Sequence, residues 1–466
     1  MRVALVNTNL IQPPIAPIGL DYVAEALHAA GHQPAVLDLC FEPDPHAAIA
    51  RFFAASTYGV VGVTLRNTDD CGYASRWSFL PQFADLITAI RRHTGAPLVL
   101  GGVGFSVMPE QALALTGADL GVWGEGEFVF PELARRLERG EEYRDLPGLL
   151  WPRQGAFERN PPSAPALDAL PAMRRAWIDN PLYFLHGGQA GFETKRGCPM
   201  RCVYCADLVA KGGRVRARPP AAVAEELECL LAQGIDHLHT CDPEFNLPPS
   251  HALAVCEELT RRRLGDRLRW YAYCSPAPFP SELALAMRRA GCVGINFGVD
   301  SGDAGMLRRL GRAHTPADIL DAARRAKDAG IAVMLDLLLG APGESRESLA
   351  RTVGLMRQAD PDCVGVSLGV RVYPGTELAR QVASEDLRAG LCGGQSPADP
   401  LFFLEPAVAP FAAALLDSLI GDDPRFFFFD PSRPKRNYNY HANQRLRDAL
   451  RAGLRGAYWD ILRRSS

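Results

Sequence analysis

No stretch of this chain approaches the ~20 consecutive apolar residues of a spanning helix, so no helical membrane span is expected. Neither sign of charge dominates. The 50 Lys plus Arg stand against 53 Asp plus Glu, which argues against nucleic-acid binding through bulk positive charge. The opening Met-Arg-Val-Ala-Leu-Val-Asn reaches a polar side chain too early for a signal-peptide core, so a cytoplasmic location is expected. No internal repeat is visible, and the run Phe426 to Phe429 is the one biased tract. Cysteine is not scarce: there are twelve. They do not form the short, even framework of a secreted disulfide protein. One tight cluster stands among scattered singles, which suits a reducing compartment where most singles act as small buried hydrophobes.

The 466 residues allow about three structural units. Up to about residue 145, strands are expected at Arg2–Val6, Ala35–Leu39, Val60–Leu65, Leu98–Leu100 and Leu120–Trp123. Helices fall at Gly19–Ala30, Leu80–His93 and after Glu127. That alternation predicts a doubly wound, Rossmann-like parallel sheet. Residues 146–185 carry scattered prolines and read as a short antiparallel extension and linker. Residues 186–380 hold six βα-type units, with strands at Gly191–Thr194, Asp236–Thr240, Arg269–Cys274, Gly294–Val299, Ala332–Leu339 and Val364–Arg371. They predict a partial (β/α)6 TIM-type barrel with its chemistry at the C-terminal strand ends. Residues 381–466 are expected to form a smaller, mainly helical, aromatic-rich cap ending in a helix near Gln444–Arg464. The whole is α/β.

The strongest chemical signal is Cys198-Pro-Met-Arg-Cys202-Val-Tyr-Cys205, directly after the first barrel strand. Three thiolates on one loop can hold three irons of a [4Fe–4S] cluster and leave the fourth open to a small ligand. A structural zinc normally takes four ligands in two pairs, and no second local pair follows. The spacing, the aromatic Tyr204 and the preceding strand resemble the radical S-adenosylmethionine (radical SAM) superfamily. The resemblance implies that the open iron chelates SAM, and that reductive cleavage yields a 5′-deoxyadenosyl radical for hydrogen abstraction. It also implies an electron donor such as flavodoxin or ferredoxin.

Later segments fit the same family in order. Cys241-Asp242-Pro-Glu244 follows the second strand, where relatives contact the SAM amino group; a helix N-cap is the other use of Asp242 and Glu244. Gly298-Val-Asp300-Ser301-Gly302 resembles a Gly-x-Glu-Ser-Gly motif with Asp in place of Glu, one methylene shorter. Gly340-Ala-Pro342-Gly343-Glu344 matches a Gly-x-Pro-Gly-Glu loop that lets the backbone approach adenine. Ser275 and Arg312 are further SAM candidates.

The first domain resembles the cobalamin-binding domain of one radical SAM subgroup. The matching pieces are Pro13-Pro14 through Gly19, Val61 to Thr64, Gly101-Gly102-Val-Gly104 and Gly124-Glu125-Gly126-Glu127, all at predicted strand ends. Residues 1–150 lack the Asp-x-His-x-x-Gly signature that supplies a histidine to cobalt elsewhere. The resemblance then implies no histidine on the lower cobalt face, with Leu65 or Arg66 placed to block it and ease methyl release. The expected cofactors are a [4Fe–4S] cluster, SAM and cobalamin, carried as methylcobalamin. The expected reaction is methylation of an unactivated carbon, less often phosphorus, of a small molecule. Ring formation or rearrangement with the same cofactors, or a non-catalytic cobalamin sensor, are the alternatives. The aromatic tail (Arg425 to Phe429, Asn437 to Asn443, Tyr458-Trp459) suits a barrel cap better than a nucleic-acid surface.

Overall fold

The computed structural model describes residues 1–465. Five strands of the first sheet are parallel, at Arg2–Asn7, Gln33–Asp38, Val60–Thr64, Leu98–Gly101 and Leu120–Val122. Their spatial order is second, first, third, fourth, fifth. The order reverses between the first and third strands, which is where a doubly wound sheet opens a crevice for ligand. The strands are apolar on both faces because helices cover both. The helices Pro45–Ala55, Val103–Val107 and Pro109–Thr116 were not expected from the sequence. The first of them starts on an Asp44 cap and a proline, and its apolar stripe is short. The antiparallel pair Leu149–Arg153 and Ala156–Arg159 extends the sheet, as the proline-rich stretch suggested.

The second sheet carries all six expected strands in sequential parallel order: Ala190–Phe192, His237–Thr240, Arg269–Cys274, Cys292–Asp300, Ala332–Leu339 and Cys363–Leu368. A seventh strand, Phe426–Phe428, pairs with Cys363–Leu368 and lengthens the open barrel. The Phe-rich run therefore belongs to the barrel sheet and not to a separate cap. Its burial among Val364, Val366 and Leu416 explains why four aromatics stand together there. The last expected helix is two, Gln444–Arg451 and Tyr458–Arg464. Between them Gly456 holds φ at +122°, which a helix cannot accommodate.

The linker ties the two sheets together. Arg175, fully buried, donates to Asp21 (3.0 Å) from the first domain and to Glu226 (2.9 Å) from a barrel helix. Such buried charges are tolerated because they are mutually paired. As a result the carboxyl edges of both sheets face one another. Asp69 meets Arg371 (2.8 Å), Cys71 meets the Tyr373 hydroxyl (3.2 Å), and Trp123 donates to the Val209 carbonyl (3.1 Å). The C-terminal segment closes the side: Asn439 donates to Asp70 (3.1 Å), and the Ala442 amide to the Gln12 carbonyl (3.1 Å).

Candidate active site

The strand Ala190–Phe192 runs into a short turn pairing Lys195–Arg196 with Arg216–Ala217, and the three clustered cysteines lie on the loop inside that turn. The loop is pinned at both ends: the Cys198 amide donates to the Gly212 carbonyl (3.2 Å) and the Val203 amide to the Leu310 carbonyl (3.0 Å). Cys198 and Cys202 are buried and Cys205 is half-buried; none is in a disulfide. Burial pushes the Cys198 thiol up to about 11 and the Cys205 thiol up to about 12. Cys202 is raised by burial too, but Arg312 opposes it, donating to its sulfur at 3.1 Å.

Arg312 organises the expected SAM side of the site. It also donates to the Gly298 carbonyl, pairs with Asp300 (3.2 Å) and lies 3.8 Å from Glu244. Asp300 sits at φ +64° where the strand pairing slips register, so its carboxylate turns back toward the cysteine loop. There it accepts from the Tyr204 hydroxyl at 2.6 Å. Burial pushes the Glu244 carboxyl up to about 7 against the pull of Arg312. Three of the expected SAM residues thus converge beside Cys202. Ser275 lies nearby in sequence register, with a buried hydroxyl that finds no partner.

The other expected SAM residues are engaged in the scaffold. Asp242 accepts from the Thr194 amide (2.8 Å), the Thr194 hydroxyl (2.5 Å) and Lys195 (3.0 Å), and these contacts hold its carboxyl below the usual range despite burial. Its carboxylate fixes the strand that leads to the cysteines. The Ser301 hydroxyl meets Thr352 (3.1 Å). The Gly340 amide donates to Glu344 (3.0 Å), shaping the turn that carries the half-buried Pro342.

The first domain presents a different face. A small pocket at the reversal point is lined by Thr8, Asn9, Leu65, Arg66, Phe79 and Phe83. Arg66 reaches Asn67 (2.9 Å), and a buried Asn9 side-chain amide nitrogen is unpartnered. The glycines divide by role. Gly102 holds φ at +95°, and a methyl group there would lie 2.6 Å from both the Leu65 carbonyl oxygen and the Thr64 hydroxyl. Gly104 is equally close to the Leu65 and Arg66 backbone, so these two glycines keep adjacent loops in contact. Gly101 and Gly19 border open space. Val103, between the paired glycines, is 42% exposed. Pro14 is buried, its carbonyl accepting from Tyr458 (3.4 Å). Gly124 donates to Ser106 (3.1 Å), and Gly126 packs against Val23. Glu125 and Glu127 are turned to the barrel, where they pair with Arg196 and Arg216.

Sequence reasoning missed a polar cluster on the inner face of the barrel. Asp336 accepts from Asn296 (2.8 Å) and from Tyr438 (3.3 Å), and Tyr438 meets Ser367 (3.1 Å). The signal was present: Asp336 is the one charge in the apolar run Ala332–Leu339. Beside it, Tyr273 is 46% exposed although it lies on an interior strand, so it borders the lumen. His239 packs against it at 4.6 Å.

Comparisons with known proteins bear on both halves. The Radical SAM superfamily model matches residues 192–356, and the B12 binding domain model matches residues 5–134. A tryptophan 2-C-methyltransferase of Streptomyces laurentii is 35% identical over 448 residues, covering 82% of this chain and 74% of that protein. The chain belongs to the cobalamin-binding radical SAM enzymes. The solved structure of the radical SAM methyltransferase TsrM from Kitasatospora setae, with tryptophan and a SAM analogue bound, superposes with a TM-score of 0.92 at 32% identity. It covers 100% of this chain and 97% of that one. The cobalamin-dependent enzyme OxsB shares the fold at 16% identity, with a TM-score of 0.74 over 87% of this chain and 64% of its own. Among the described residues no helix is long and apolar enough to cross a membrane.

Proposed function

We propose that this enzyme is a cobalamin-dependent methyltransferase whose substrate is a small aromatic amine of the tryptophan class. The observation that carries this reading is the facing of the two carboxyl edges, which sets the cysteine loop and the reversal-point pocket on one lumen. Its likeness to TsrM over essentially the full length of both chains supports the same conclusion.

The residues fit the expected groups. Three thiols on one pinned loop, with Arg312 against one sulfur, suit an anionic iron–sulfur cluster. Glu244 with the Arg312–Asp300 pair, and the unpartnered Ser275 hydroxyl whose backbone is held by Asn246, suit a polar ligand such as the amino-acid end of SAM. An exposed Val103 and the open space at Gly101 and Gly19 suit a broad, partly apolar ring system. When bound, the cluster with SAM and the cobalamin supply the methyl group, its carrier and the radical chemistry. The chain does the rest. Arg312 holds positive charge against Cys202 and fixes Asp300. Lys195 and Asp242 lock the strand that positions the cysteines. Arg196, Arg216, Glu125 and Glu127 are positioning residues that hold the first domain on the barrel. Leu65 and Arg66, on the loop after the third strand, line the reversal-point pocket and would border a cobalamin held there.

A flavodoxin- or ferredoxin-like donor would supply electrons in the cytoplasm, a compartment that suits twelve unpaired cysteines. The test is anaerobic reconstitution with iron, sulfide, cobalamin and SAM, then incubation with L-tryptophan. The expected product has one methyl in place of one carbon-bound hydrogen, with S-adenosylhomocysteine formed alongside. A product with unchanged carbon count overturns the methyltransferase reading.

A further inference from the structure

We propose that Asp336, with Asn296, seats the ammonium group of the substrate on the inner wall of the barrel. The proposal rests on the aromatic-amine reading above and assigns that substrate's polar anchor.

Asp336 lies mid-strand and is paired in register with Gly298 on one side and Gly365 on the other. Neither neighbour places a side chain over it, so the carboxylate opens on the lumen. Its protein partners are neutral donors, Asn296 and Tyr438. No lysine or arginine pairs with it among the described residues. Three carboxylates of the barrel mouth differ: Asp242 has Lys195, while Asp300 and Glu244 share Arg312. Glu344 also has neutral partners, but they are the Gly340 amide and the Ser348 hydroxyl of its own turn. A carboxylate held among neutral groups is costly unless a cation joins it. Burial, helped by the nearby charge of Asp300, pushes Asp336 up to about 6 against the hydrogen bonds from Asn296 and Tyr438. The buried Asn296 side-chain oxygen is also without a donor. A carboxylate with no cation and an amide oxygen with no donor, on adjacent strands, suit a group that is both charged and rich in N–H donors, and an ammonium has three.

The surroundings supply the remaining half of an aromatic amine. Tyr273 presents its ring to the lumen, with His239 packed on it. Asp336 also lies near enough to the Tyr273 hydroxyl to raise it electrostatically, so the ring and the carboxylate are neighbours on the inner wall. An aromatic body against Tyr273 with its ammonium at Asp336 satisfies both features.

The test measures equilibrium binding to the reconstituted holoenzyme of three probes: L-tryptophan, tryptamine and indole-3-propionate, the last lacking the ammonium. In Asp336→Asn the first two should weaken about 10- to 100-fold, the range of a charge-assisted hydrogen bond, while indole-3-propionate is unchanged. Tyr438→Phe removes the hydroxyl that braces Asp336 but keeps its charge, and should retain the preference for amines. Equal weakening of all three probes in Asp336→Asn, or of none, overturns the proposal while leaving the methyltransferase reading intact. The same loss of amine preference in Tyr438→Phe also overturns it, because bracing alone would then explain the effect. A wild-type enzyme that binds none of the three overturns the aromatic-amine reading and this proposal together.

Discussion

In the barrel, the ligand-facing edge is charged and pairs with itself: Arg312 with Asp300 and Glu244, Lys195 with Asp242. In the first sheet the pocket at the facing edge is nearly neutral, lined by residues such as Thr8, Asn9 and Leu65, with Arg66 as the charge in its lining; Asp69, further along the same loop, is paired with Arg371 of the barrel. The carboxylates of its last loop, Glu125 and Glu127, point away to the barrel arginines. Two largely parallel sheets, one doubly wound and one an open barrel, therefore prepare their ligands differently. The barrel presets charge around a small polar ligand, and the first sheet clears space and surface for a broad one. Removing a charge should cripple the barrel, whereas adding bulk should cripple the first sheet.

The largest break is Cys202→Ala. It removes one of three thiolates and leaves Arg312 without its sulfur partner. Iron content and the visible charge-transfer absorption of the cluster should fall to background, and turnover with them. Cobalamin retention should stay at the wild-type level, since nothing in the first sheet touches Cys202. Loss of both cofactors together would mean that the two edges are not independent.

Next is Arg196→Met, which strands Glu127 and Glu193 and leaves Glu125 to Arg216 alone. Breaking a buried ionic cluster from one side costs about 3–5 kcal/mol. Burial already raises Glu127 above the usual carboxylate range while Arg196 opposes it. The loss should therefore be larger at pH 8 than at pH 5, where the stranded carboxyls take up protons. Denaturant melts at the two pH values check this, and an equal loss at both contradicts it.

A smaller effect is expected of Gly102→Val. The residue must hold φ at +95°, and its new side chain would meet the Leu65 carbonyl oxygen and the Thr64 hydroxyl. Strain of this kind costs about 1–3 kcal/mol. Cobalamin affinity should drop about tenfold or more, with cluster content unchanged. Gly95→Ala, in open space before the fourth strand and so at the opposite end of the sheet, is its control and should bind as wild type.

These contrasts also explain what was legible in the sequence. Strand alternation and the cysteine spacing are local signals, so both sheets and the cluster loop could be read directly. Arg312 and Glu244 were visible because each sits close to a family motif. The direction of Glu125 and Glu127 was not visible. It depends on Arg196 and Arg216, about 70 to 90 residues later in the chain, and pairing at that range leaves no periodic trace. Asp242 shows the same limit from the other side: its spacing suggests a ligand, but its environment, Thr194 and Lys195, makes it a brace. Phe426–Phe428 read as part of an aromatic cap because a short edge strand without alternation looks like any apolar cluster. Asp336 was legible as an anomaly, and only its neighbours gave the anomaly a use.

The finest test of the comparison lies in Asp336, a carboxylate on the inner barrel wall whose hydrogen-bond partners are neutral. Burial lifts Asp336 to about 6, so between the ordinary aspartate value near pH 4 and pH 6 the folded chain holds a proton that the unfolded chain releases. Its contribution to stability is therefore greatest at the acid end, falls as pH rises through that window, and is flat above it. Asp336→Asn keeps an acceptor for Asn296 and removes the charge. The ligand-free variant should match wild type near pH 4 and exceed it by about 1–2 kcal/mol at pH 8, a figure reduced for the side of Asp336 that meets solvent in the lumen. Asp242→Asn should do the opposite, because the lowered Asp242 is paired with Lys195 and stabilises most at neutral pH. If both variants shift stability in the same direction at pH 8, then Asp336 is as well compensated as Asp242, and the barrel edge has no charge left over for a ligand to meet.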